Sequence, residues 1–187
     1  MDPQLKKIDN SLDDDQRKIL FILSLYSSEE ELVFLQYTGW LVVSFYIMTK
    51  GLLPNYKEQL LVYDYKCDRR YLWEDKKYMD DVNVLRRADL VIRARSRSQE
   101  YRDINAHQCS RLGHKFLQAL NFKESPQGQA ILQELSCKKC GRCKLIVLDD
   151  EQPILKCPKC KRQEIVVEGF LKDLYQPIEE KVEPYFL

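Results

Sequence analysis

Four cysteines carry the spacing most suited to chemistry. Cys137 and Cys140 are separated by two residues, as are Cys157 and Cys160, and sixteen residues lie between the pairs. Two intervening residues let one tight turn aim both thiolates at the same ion, so two such turns close a tetrahedral zinc site. Gly141 follows the first pair, where the turn often needs a positive φ that glycine adopts without strain. Pro158 fixes φ inside the second pair. Four thiolates leave no open coordination position, so the expected Zn2+ is structural and not catalytic. Cys143 offers a competing pair with Cys140, but Gly141 then no longer falls just after the turn. A disulfide framework or free thiols would be the other use of seven cysteines. Paired spacing without a secretory signal favours metal, and predicts a reducing compartment inside the cell, cytosol or nucleus.

Other candidate chemistry is weaker. His107, Cys109, His114 and Cys67 could form a second metal set, yet only His107 and Cys109 have compact spacing. No glycine-rich phosphate loop is present, and nothing points to a Cys–His nucleophile or a paired-carboxylate cleft. The chain reads as a non-enzyme.

Basic residues form the second theme. Net charge is +1, but residues 1–31 and 164–187 are both acidic, which leaves about +9 on residues 32–163. Arg86, Arg87, Arg93, Arg95, Arg97 and Arg102 crowd one stretch, and Lys138, Lys139, Lys159 and Arg162 flank the cysteines. Arginine binds phosphate bidentately and keeps its charge, so these residues are candidates for nucleic-acid contact. Glu74, Asp75, Asp80 and Asp81 lie on or beside the same stretch and would repel phosphate.

The elements that must hold these residues follow from periodicity and caps. Residues 1–12 read as loose. Asp13–Asp15 open a helix to about Tyr26. Leu32–Thr49 is eighteen uncharged residues, read as a buried helix opened by a Ser28/Glu31 capping box and stopped at Gly51. No membrane span is expected there, because polar residues interrupt it and Lys50–Gly51 ends it. Residues 56–65 are a short helix or irregular strand, and Asp68–Trp73 a loop. Lys76–Ala88 is a helix with Tyr78, Met79, Val82 and Leu85 on one face. Leu90–Arg95 and Tyr101–His107 read as paired strands, and Ser110 caps a helix to Leu120. Ser125–Gln129 is the expected linker. Around the cysteines, Arg142–Leu148, Ile154–Lys156 and Gln163–Val167 supply three short strands. So small a unit lacks core, and metal would supply much of its folding free energy.

The stretch DDVNVLRRADLVIRARSRSQEYRDINAHQCSRLGHKFLQAL resembles the end of winged helices in the PadR and MarR regulator families. Asp89–Ile92, the arginine-rich wing and Ser110–Gly113 carry the likeness, over roughly residues 76–120. The longer, more apolar Leu32–Thr49 departs from it. A winged helix followed by a zinc ribbon is also similar in architecture to the alpha subunit of archaeal and eukaryotic transcription factor E. Elements and cysteines together read as an α+β chain: a helix-rich winged-helix-like domain over 1–125, a small all-β zinc ribbon over 133–168 and a C-terminal docking tail over 169–187. With the resemblance, they imply a transcription-related factor binding nucleic acid. The alternative is a non-catalytic protein-interaction or scaffold subunit, docking a protein partner or a second copy through Leu32–Thr49 or the tail.

Overall fold

The structure is a computed structural model and describes residues 2–27, 34–57, 59–65, 68–73, 75–96, 104–147 and 154–166. Residues 2–12, expected as loose, contain helix α1 (Pro3–Ser11), which Asp2 caps by accepting the Gln4 N–H at 2.7 Å. Pro3 at the first helical position completes the start signal. Helix α2 (Asp14–Ser24) opens with a capping box: Gln16 N–H donates to Asp13 at 2.8 Å, and Asp13 N–H donates to Gln16 Oε1 at 3.0 Å. Ile19, Leu20, Ile22 and Leu23 are wholly buried.

Helix α3 (Tyr37–Thr49) starts later than Leu32. Strand β1 (Leu35–Gln36) pairs instead with β5 (Ile104–Cys109), placing Leu35 opposite His107. A pairing partner seventy residues away overrides the local helical pattern. The Ser28/Glu31 capping box lies outside the described residues. As its uniform apolarity requires, α3 is enclosed: Trp40, Val42, Val43 and Ile47 have no exposed surface. Trp40 donates its indole N–H to the Ile19 carbonyl at 3.2 Å, tying α3 to α2. Among the described residues no helix is long and apolar enough to cross a membrane.

Residues 60–65 take the strand alternative, whereas 68–73, expected as a loop, form its partner. Strands β2 (Leu60–Tyr65) and β3 (Asp68–Trp73) form an antiparallel hairpin that, among the described residues, pairs with no other strand. Trp73 anchors it in the core and donates to the Lys57 carbonyl at 2.7 Å. Helix α4 (Lys76–Arg87) follows, capped by Asp75, whose carboxylate accepts Tyr78 N–H at 3.1 Å and Lys57 N–H at 2.7 Å. Tyr78, Val82 and Leu85 are buried, while Met79, expected beside them, is 40% exposed.

Strand β4 (Val91–Ser96) pairs with β5, giving the sheet order β1-β5-β4. Ser110 caps α5 (Arg111–Ala119) and also donates to the Asp89 carbonyl at 2.6 Å. Gly113 cannot carry a side chain without movement, because a Cβ there would sit 2.5 Å from the Leu90 carbonyl oxygen and 2.8 Å from Cys109 Sγ. Ser125–Gln129 is not a linker. Ser125 caps α6 (Pro126–Leu135), accepting Gly128 N–H at 3.1 Å, with Pro126 at the first helical position. A last sheet has the order β6 (Leu145–Val147), β7 (Ile154–Lys156), β8 (Gln163–Ile165), all antiparallel. It docks on the helices: Leu155 is wholly buried in the common core, and Tyr26 donates to the Lys144 carbonyl at 2.9 Å. Lys144 Nζ, nearly buried, donates to the Glu134 carbonyl at 2.8 Å at the end of α6 and pairs with Glu164 on β8.

Candidate metal centre and basic surface

The two cysteine pairs occupy turns with one hydrogen-bond plan. In the first, Gly141 N–H returns to the Cys137 carbonyl at 2.7 Å and Cys137 N–H donates to the Arg142 carbonyl at 2.8 Å. In the second, Lys161 N–H returns to the Cys157 carbonyl at 3.0 Å and Cys157 N–H donates to the Arg162 carbonyl at 2.8 Å. Both turns end on a left-handed residue, Gly141 at φ +66° and Lys161 at φ +61°. Glycine is at home there, whereas lysine is strained.

These turns bring Cys137, Cys140, Cys157 and Cys160 together, with all four Sγ atoms within 4.8 Å of one another. Cys137 and Cys160 Sγ are 3.5 Å apart. The N–H of Cys160 points at Cys157 Sγ from 3.5 Å and lowers that thiol to about 6. Burial, and then the neighbouring thiols of Cys160 and Cys157, push Cys140 up to about 12. Four anionic sulfurs cannot crowd so closely without a cation, and a bound dication would ionise them all. The donor set is all sulfur and four in number, which suits zinc. Cys143 stands apart: it forms a bridge pair with Ser136 and its Sγ faces the Lys144 carbonyl at 3.8 Å. Among the described residues His107, Cys109 and His114 join no metal cluster. Cys67 lies outside them.

The basic candidates fall into two groups. Arg86 and Arg87 at the end of α4 and Arg93 on β4 line one concave surface with Asn83 and Val91. Arg95 lies on β4 opposite Asn105 in the register. Arg97 and Arg102 lie outside the described residues. Lys138, Lys139, Lys159 and Arg162 are exposed on the two cysteine turns.

The acids near α4 are mostly turned inward. Asp81, 6% exposed, accepts Gln16 Nε2 at 2.7 Å, Tyr56 Oη at 2.8 Å and Lys77 Nζ at 2.6 Å. Burial, and then the Asp81 carboxylate, drive the Tyr56 phenol far up, so it stays a donor. Asp75 is spent on capping, and Glu74 lies outside the described residues. Asp80 alone of the described acids on α4 faces solvent.

Residues that the sequence did not single out hold the arginines. Asn83 accepts Arg86 Nη1 at 3.1 Å, and Asn105 accepts Arg93 Nε and Nη2 at 3.0 and 2.5 Å. The i,i+3 spacing of Asn83 and Arg86 was a usable signal; the cross-strand reach from Arg93 to Asn105 required the register. Among the described residues Arg86, Arg87 and Arg93 have no carboxylate within salt-bridge distance. Compared with protein-family models, curated proteins and solved structures, the chain shows no significant match. What stands is a helix-rich α+β chain with four cysteines placed to coordinate a metal.

Proposed function

We propose that this chain is a zinc-containing nucleic-acid-binding factor, transcription-related, built as a winged helix carrying a zinc ribbon. The order α2, β1, α3, α4, β4, β5, with the β2–β3 hairpin inserted between α3 and α4, and a β1-β5-β4 sheet support the winged-helix reading. In it α4 is the recognition helix and β4–β5 the wing. The two matched cysteine turns on a three-stranded sheet support the ribbon, with Zn2+ held by Cys137, Cys140, Cys157 and Cys160.

The observation that carries nucleic-acid binding is the pairing of two facts on α4. Arg86, Arg87 and Arg93 share a concave surface free of described carboxylate partners, while Asp75 and Asp81 are buried. Among the described residues, the electrostatic objection raised by the sequence thus shrinks to Asp80. Fluorescence anisotropy of the metal-loaded chain with duplex DNA and RNA tests it. Three phosphate contacts predict that Arg86/Arg87/Arg93→Gln flattens the slope of log K against log salt by roughly 3. Binding with an unchanged slope in that variant would overturn the assignment.

A second reading, a protein-interaction subunit, is favoured by Ile165, 56% exposed on edge strand β8. No nucleic-acid binding at low salt, with a stable complex lost in Ile165→Lys, would select it.

A further inference from the structure

The arginine surface continues into a second concavity that a duplex backbone does not need. A cleft of about 210 Å³ lies between α4 and the β4–β5 sheet, and shares Asn83, Arg86 and Arg93 with the basic concavity of about 430 Å³. Apart from Asn105, its other walls are of a different kind: Tyr37, Met79, Val82 and His107. The site therefore has a cationic half and an aromatic, thioether-lined half, joined at two guanidiniums.

His107 is the most informative member. It is 4% exposed, with its ring 5.3 Å from Tyr37 and 5.4 Å from Trp40. Among the described residues its Nδ1 has no hydrogen-bond partner. Burial, and then the charges of Arg86 and Arg93, hold it neutral. A buried polar nitrogen without a partner is costly, and such atoms mark places where a ligand completes the bonding. Arg86 and Arg93 are pre-aimed by Asn83 and Asn105, which fix the guanidiniums without neutralising them. Met79, exposed at the cleft rim, supplies a polarizable surface for a flat ring.

We propose that this cleft binds one nucleotide unit, with its base against Met79, Tyr37 and His107 and its phosphate on Arg86 and Arg93. The inference rests on the nucleic-acid reading for its context but not for its chemistry. The unit is either a free nucleotide or an unpaired nucleotide of a strand, and both present the same ring and phosphate.

The test follows backbone amide shifts of the 15N-labelled, metal-loaded full-length chain. The probes are AMP, UMP, adenosine, inorganic phosphate, an unstructured hexanucleotide and a duplex. AMP, UMP or the hexanucleotide is expected to shift Met79, Asn83, Arg93 and His107 saturably. Adenosine and phosphate alone should each bind at least about tenfold more weakly than the intact nucleotide, a loss of about 1.4 kcal/mol. Saturation by mononucleotide assigns a free ligand; saturation by the hexanucleotide alone assigns an unpaired strand nucleotide. Met79→Glu, at an exposed helix position, places a carboxylate beside the cleft and should weaken binding by a further factor of about ten. Lys6/Lys7→Ala, on the exposed face of α1, should leave nucleotide binding unchanged. Phosphate binding as tightly as AMP, or no shift at the four amides with any probe, overturns the proposal. Salt-dependent duplex binding indifferent to Met79→Glu, with a silent cleft, overturns this inference and leaves the proposed function standing. A response to AMP without strand or duplex binding keeps the cleft and overturns the nucleic-acid reading.

Discussion

Replacing Asp81 by asparagine separates an acid that holds the fold from an acid that repels phosphate. Asp81 Oδ2 accepts both Tyr56 and Lys77, and Oδ1 accepts Gln16 Nε2. Asparagine keeps the shape but turns one acceptor oxygen into a donor. If its oxygen stays with Tyr56 and Lys77, its amide nitrogen faces Gln16 Nε2. Gln16 cannot simply rotate to present Oε1, because that oxygen already accepts Asp13 N–H in the capping box of α2. At least one charge-assisted buried bond is lost, at about 1.5–3 kcal/mol. The Lys77 ion pair weakens too, but its lysine is 41% exposed and adds little. The total is about 2–4 kcal/mol, or roughly 5–15 °C in melting temperature for a chain of this size. Urea unfolding followed by circular dichroism at pH 7 measures the loss, and anisotropy at low salt measures binding. The expected result is a clear drop in stability with nucleic-acid affinity unchanged within about twofold. A loss below about 1 kcal/mol together with about tenfold tighter binding would place Asp81 on the phosphate-facing surface, and the reasoning on α4 would fall.

Elemental analysis should find one zinc per chain; serine at Cys137, Cys140, Cys157 or Cys160 should abolish it, and Cys143→Ser should retain it. Lys161→Gly relieves a left-handed backbone and should stabilise the metal-loaded chain by about 0.5–1 kcal/mol in urea, after loss of the Lys161–Pro158 contact at 2.9 Å. Gly141→Ala has open space around it but the same φ sign, so it should destabilise by about 1 kcal/mol. His107 stays neutral down to about 4, whereas an unfolded histidine titrates near 6.5. The unfolded chain takes up its proton first as pH falls, so stability is lost between about 6.5 and 4, by on the order of 3 kcal/mol. The advantage of wild type over His107→Gln should shrink across that window in paired urea melts, and a constant difference would contradict it.

Features written in a few adjacent residues were legible in the sequence. The cysteine turns, the Asp13 and Ser110 helix starts and the buried Tyr78, Val82 and Leu85 of α4, though not Met79, all depend on neighbours within four positions. The ends of α1 and α6 were equally local, as Asp2–Pro3 and Ser125–Pro126, but caps use the residue types of loops and pass for them. Long-range pairings were not legible. Only the register with β5 decides that Leu35 and Gln36 leave the helix, and only the hairpin register sets Asp64 opposite Arg69. The inward turn of Asp81 needed a partner on α2, Gln16, sixty-five residues away. For that reason the sequence overstated the negative charge beside the arginines.

The β2–β3 hairpin leaves the body and returns to it at nearly the same point. Lys57 N–H donates to Asp75, and Trp73 donates to the Lys57 carbonyl, so a clasp closes its base. Among the described residues the hairpin pairs with no other strand, and Trp73 at its base is buried. It therefore behaves as a cassette: a different hairpin or a small reporter could be grafted above the clasp without altering the register of the main sheet. Whatever is carried there would be held at a fixed distance from the first turn of α4, which makes this the natural handle for labelling the molecule beside its basic surface.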